Sequence, residues 1–182
     1  FLLFYFKQTQ ELSFFTALKT FVYGFQLDAS FAGYLCLIPF LLIISSVFIN
    51  PKKIGSIVKV YSYILLIVIN LLLIIDASLY QSWGVRLDTT LLNYINTPEV
   101  MLASVSTFQM ISGLIFWFIA SYAFIKIFKK PIHKNSEKIT KGNWIQAPVF
   151  LFATVFLIIP IRGGLQTIPI NQSNVYFSSK MF

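Results

Sequence analysis

The chain has 182 residues, of which 57% are hydrophobic and only 11% charged, against about 25% charged in an average soluble domain. Its 20 Phe, 9 Tyr and 3 Trp make 18% of the residues aromatic, more than a water-soluble domain of this size can hide and far more than a disordered chain carries. The net charge of +8 raises nucleic acid as a partner, but the basic residues flank apolar segments and lack interleaved exposed aromatics, so the composition indicates a phospholipid bilayer and no nucleic acid.

In chain order, Phe1–Phe6 is too short for a signal peptide or a complete span and is expected to be the tail of a truncated hydrophobic segment in a longer protein. Gln8–Asp28 places Leu12, Phe14, Phe15, Leu18, Phe21, Val22 and Phe25 at mostly helical spacing, which predicts a short amphipathic helix in the membrane interface. Uncharged or nearly uncharged apolar runs follow over residues 29–49, 58–80, 108–128 and 144–161. About 20 residues at about 1.5 Å each cross a hydrocarbon core of about 30 Å, and backbone inside lipid must satisfy its own hydrogen bonds, so each run is expected to be a helix. Gly84 can terminate the second full span, and Thr97-Pro98-Glu99 has the N-cap, first-position Pro and first-turn acid of another short helix. The fold class expected is all-α: a polytopic membrane bundle of about five transmembrane helices (the first truncated), with short amphipathic helices on the outer face. Residues 1–161 form the membrane domain and 162–182 an exit segment.

Charge orients the bundle. Lys52, Lys53 and Lys59 lie in one connection and Lys126, Lys129, Lys130, Lys134, Lys138 and Lys141 in another, with Glu137 the only acid in either. The other five basic residues (Lys7, Lys19, Arg86, Arg162, Lys180) share their side with five acids. The positive-inside rule makes the lysine connections cytoplasmic, so the N-terminus is expected in the cytoplasm and the C-terminus outside.

No catalytic or metal-binding set is evident. His133 is the only histidine and lies in a lysine-rich stretch without Cys or carboxylate at ligand spacing, while Cys36 alone excludes a disulfide framework or a multi-cysteine metal site. The informative polar groups gather at the outer mouth. Asp76, Tyr80 and Trp83 share one helix face, Arg86 and Asp88 follow directly, and Arg162-Gly163-Gly164 closes the last span. One reading makes them helix-end anchors and ion pairs, with Asp76 paired to Arg162 or Arg86. The other makes them a lipid head-group site: an Arg fork, glycine N–H groups close to an anion, and Tyr80 and Trp83 at head-group depth.

The runs Tyr80-Gln81-Ser82-Trp83-Gly84-Val85-Arg86-Leu87-Asp88, Thr97-Pro98-Glu99 with Ser104, and Arg162-Gly163-Gly164-Leu165-Gln166-Thr167-Ile168-Pro169-Ile170-Asn171 with Tyr176-Phe177-Ser178 resemble the membrane domain of lipoteichoic-acid-synthase-like, sulfatase-family proteins. The resemblance spans most of the chain. It implies a bacterial cytoplasmic-membrane protein with a five-helix anchor, followed by an alkaline-phosphatase-superfamily domain outside the membrane. Such a domain transfers phosphoglycerol or phosphoethanolamine from a phospholipid through a Thr or Ser nucleophile and a divalent metal, manganese or zinc. No catalytic residue and no metal ligand carries over to this chain, and no cofactor is expected in it. The partners implied are anionic or zwitterionic lipid head groups and the soluble domain that follows covalently. The rival reading is a non-catalytic structural subunit of a membrane complex, with Ala29-x-x-x-Gly33 and Ser112-Gly113 as close-packing positions. Transport ranks below both, with Asn70 the most conspicuous mid-span polar residue.

Overall fold

The structure, a computed structural model, describes residues 13–83, 87, 105–165 and 169–170, and every regular element among them is helical. Helix α1 spans Phe14–Ile44 and runs into a 3₁₀ turn at Ser45–Val47. Helix α2 spans Pro51–Trp83, α3 Thr107–Glu137, α4 Gln146–Phe156 and α5 Ile158–Arg162. Three stretches are long and apolar enough to cross a membrane: Phe14–Val47, Pro51–Tyr80 and Thr107–Glu137. Ala147–Arg162 is a shorter apolar helical stretch. The segments Phe1–Phe6 and Thr97–Glu99, and the exit segment beyond Ile170, lie outside the described residues.

Helix boundaries follow local chemistry that apolar counting missed. The separate interfacial helix expected over Gln8–Asp28 is not seen as an element of its own. Gln8–Leu12 lie outside the described residues, and from Phe14 the chain is one continuous helix through Gly24, Asp28 and Ala29. Pro39 sits inside α1, where its missing N–H costs a bond to the Leu35 carbonyl without ending the helix. Helix α2 starts seven residues ahead of the expected 58–80 span. The Asn50 side chain accepts the Lys52 N–H at 3.0 Å, the Asn50 carbonyl takes the Lys53 and Ile54 N–H groups, and Pro51 fills the first helical position, where an N–H has no partner anyway.

Helix α3 opens with a capping box. Ser106 Oγ accepts the Gln109 N–H at 3.2 Å while Gln109 Oε1 accepts the Ser106 N–H at 3.2 Å. It then continues past the expected end at 128 to Glu137, so much of the lysine-rich connection is helical rather than loop. The expected span over 144–161 is divided at Leu157. Pro160 explains this: it cannot donate to the Phe156 carbonyl four residues back, and its ring crowds that carbonyl. The chain relaxes there into a tighter turn, with Leu157 N–H on the Thr154 carbonyl at 3.1 Å.

The chain divides into two units, Val60–His133 and the flanking Leu2–Lys59 with Lys134–Met181. In the first, α2 and α3 pair. Trp117 Nε1 donates to the Ile67 carbonyl at 3.0 Å, and the buried Asn70 bonds back to the Leu66 carbonyl at 2.6 Å. In the second, α1 packs on α4 and α5. Buried Ser30 donates from Oγ to the Ile161 carbonyl at 2.6 Å, satisfying an acceptor that the end of α5 leaves without a helical partner. Gly33, one turn on, lets the α5 backbone come close: a Cβ there would stand 2.8 Å from Ile161 Cγ1 and 3.4 Å from its nitrogen. At the C-terminal end of α1 the Gly142 N–H meets the Ser46 carbonyl at 3.3 Å, so α1 runs antiparallel to α4 and α5. Most remaining apolar side chains face outward, Phe14, Phe25, Phe108 and Ile127 among them, as lipid-facing helices require.

Candidate functional site

The residues singled out at the outer mouth fall into two local arrangements, one in each unit. The first lies at the end of α2. Asp76 and Tyr80, one turn apart, are both half-buried, and Asp76 Oδ1 accepts the Leu87 N–H at 2.7 Å. A carboxylate that binds a backbone amide eleven residues on fixes the direction in which the chain leaves the helix. Trp83 is the last residue of α2; its side chain, Gly84, Arg86 and Asp88 lie outside the described residues.

The second arrangement is the end of α5. Gly163 takes φ 78° and Gly164 φ 133°, backbone conformations that a side chain disfavours. Gly163 N–H donates to the Pro160 carbonyl and Gly164 N–H to the Ile159 carbonyl, each at 2.9 Å, the paired bonds of a Schellman cap. Beyond the turn the chain folds back, Ile170 N–H reaching the Arg162 carbonyl at 2.9 Å, and the Ile170 side chain covers the face of Gly163 where a Cβ would be. Both glycines are therefore accounted for by the turn, and their amide donors are used on helix carbonyls rather than presented to an anion. The Arg162 side chain, exposed at this turn, is the group here that could meet a phosphate. Asp76 and Arg162 belong to different units.

A third feature was missed from sequence. Between α2 and α3 lies an open cavity of about 180 Å³, lined by Leu71, Ile75, Leu79, Met110 and Trp117, with Ser78 and Gln109 the polar members. Gly113 opens it, since a Cβ there would meet only Ile74 Cγ2, at 3.8 Å. The face that builds it on α3 repeats every fourth residue, Gln109, Gly113 and Trp117, a spacing legible in sequence once a small residue is allowed to mark the face. One turn further along α3, Ser121 is buried and its Oγ has no hydrogen-bond partner among the described residues. Elsewhere, Cys36 is a free, exposed thiol on α1 and His133 is exposed on α3. Among the described residues no group of three or more His, Cys, Asp or Glu could hold a metal.

No family model, curated protein or solved structure matches the chain.

Proposed function

We propose that this chain is the membrane domain of an extracytoplasmic, phospholipid-dependent transferase or related hydrolase of the lipoteichoic-acid-synthase-like, sulfatase-family kind. Its role is to hold the catalytic part against the outer leaflet. The action is positional: a tethered active site meets lipid head groups at high effective concentration. The observation that carries the reading is the meeting of the two lysine-bearing connections at one end of α1, through Gly142 and Ser46 and through Gly55 and Ser136. Basic connections gathered at one end agree with a bundle whose lysines face the cytoplasm and whose α5 exit, beside Ser30 and Gly33 near the middle of α1, faces outward. The fold-back from Arg162 to Ile170 gives that exit a defined starting direction. The exposed Arg162 guanidinium supplies a cationic group for a head-group contact at that exit.

The five-span topology, with the N-terminus inside and the C-terminus outside in a bacterial cytoplasmic membrane, is part of this proposal. The test is head-group turnover. Membranes carrying the complete reading frame are expected to release diacylglycerol from labelled phosphatidylglycerol or phosphatidylethanolamine in a divalent-metal-dependent way. A frame that ends without a metal-bound Thr or Ser site, or membranes that release none, would favour the structural-subunit reading.

A further inference from the structure

The two basic connections are distant in sequence, 46–59 and 134–144, yet four observations make them one surface. The Gly142 N–H donates to the Ser46 carbonyl at 3.3 Å. Gly142 packs so closely that a Cβ would lie 2.9 Å from both Ser46 Oγ and Val47 Cγ2. The first turns of α2 meet the end of α3 with no room to spare, since a Cβ on Gly55 would run into the Ser136 carbonyl. Finally, Phe48 and Trp144, one from each connection, stack edge to face at 4.9 Å.

That aromatic pair is not core. Phe48 is 71% and Trp144 68% exposed, with Ile49 and Ile145 exposed beside them. The same two connections carry Lys52, Lys53, Lys134, Lys138 and Lys141, all exposed, against the single acid Glu137. Tryptophan and phenylalanine on a surface ringed by lysines, where apolar helices begin and end, match the layered chemistry of a bilayer: acyl chain, then glycerol, then phosphate.

We propose that this composite cap is a binding surface for anionic phospholipid head groups, with the Phe48–Trp144 pair seated at head-group depth and the lysines of both connections neutralising phosphate. The charge complementarity and the apolar aromatic centre select lipid over a soluble polyanion, which would meet the lysines but leave two exposed rings in water. Neither the orientation of the bundle nor any catalytic role for the chain enters this proposal. It adds to the topogenic role of the lysines a property that neither connection has alone.

The test is lipid retention by the full chain purified from mixed micelles of phosphatidylglycerol and phosphatidylcholine. The wild type is expected to retain phosphatidylglycerol in clear excess over its share of the mixture. Each lysine near an anionic surface contributes about fivefold to association. The combined Lys52→Gln, Lys53→Gln, Lys138→Gln, Lys141→Gln variant should therefore lose at least about tenfold of that enrichment, and Arg at the same four positions should preserve it. Because the surface is composite, Trp144→Ala should lower the enrichment several-fold with every charge in place, and either lysine pair alone should remove most of it. Unchanged enrichment in the fourfold variant would overturn the proposal. So would strictly independent effects of the two pairs with none from Trp144→Ala, which would leave two separate topology labels. Loss with Arg as complete as with Gln would overturn it too.

Discussion

The two units of this protein are built from equally apolar helices and are held together in different ways. In the unit of α1, α4 and α5, the backbones approach at Gly33 and Ser30 binds the Ile161 carbonyl across the interface. In the same unit Gly142 closes on Ser46 and, at the ends of α2 and α3 that belong to it, Gly55 closes on the Ser136 carbonyl. Within Val60–His133, where α2 and α3 pair, Gly113 has its nearest neighbour at 3.8 Å, a cavity of about 180 Å³ remains, and Trp117 bonds across to the Ile67 carbonyl. In lipid no hydrophobic force draws one apolar helix to another, so contact must come from close packing and from hydrogen bonds. The unit of α1, α4 and α5 uses both densely. The pair within Val60–His133 leaves room, and Gly113 there marks space rather than contact.

Substitutions separate the two modes, beginning with the largest effect. Gly55→Ala should destabilise by about 2–3 kcal/mol, since the new methyl meets a backbone carbonyl that cannot swing away. A lowered thermal midpoint in detergent, followed by circular dichroism, reads this out, and an unshifted midpoint would remove the tight contact from the account. Ser30→Ala should cost about 1 kcal/mol, because it leaves the Ile161 carbonyl without its cross-helix donor in a buried position. Ser30→Thr, which keeps the hydroxyl, should recover part of that in the same melt. Trp117→Phe in the other unit should cost about 0.5–1 kcal/mol, as the Ile67 carbonyl loses one donor while the aromatic ring keeps most of its packing. Its indole fluorescence, blue-shifted in a dry hydrogen-bonded site, identifies the band that disappears. Gly113→Ala should be neutral, or stabilising by about 0.5 kcal/mol. The added methyl enters open space and alanine suits a helix better than glycine. A loss as large as that of Gly55→Ala would erase the distinction between the units.

Much of this architecture was legible as composition and little of it as contact. Apolar runs located the helices because lipid-facing residues must be apolar whatever they touch. The same uniformity hid which face of each helix meets a neighbour, and Ser30 and Gly33 lay in a run noted only for Ala29-x-x-x-Gly33. Boundaries were set by short polar signals inside or beside the runs. Asn50-Pro51 starts α2, Ser106-Thr107-Phe108-Gln109 starts α3, and Pro160 divides the last helical stretch, each readable from capping or proline chemistry rather than hydropathy. At the outer mouth the sequence pointed to Arg162-Gly163-Gly164 for its anion-binding character. The structure uses those glycines to cap α5, a role their left-handed conformations explain and a residue list cannot distinguish. The joining of the basic connections through Phe48 and Trp144 was beyond sequence because nearly a hundred residues separate the rings.

The membrane domain proposed here has its lysine connections on the cytoplasmic side and its α5 exit on the other. Single cysteines in a Cys36→Ser background, labelled on intact cells with a membrane-impermeant maleimide, test that orientation most directly. Leu165, 91% exposed just past α5, should label as Leu165→Cys without permeabilisation, and Asn135→Cys, exposed near the end of α3, only after it. Labelling of both on intact cells, or of Asn135→Cys alone, would contradict the account.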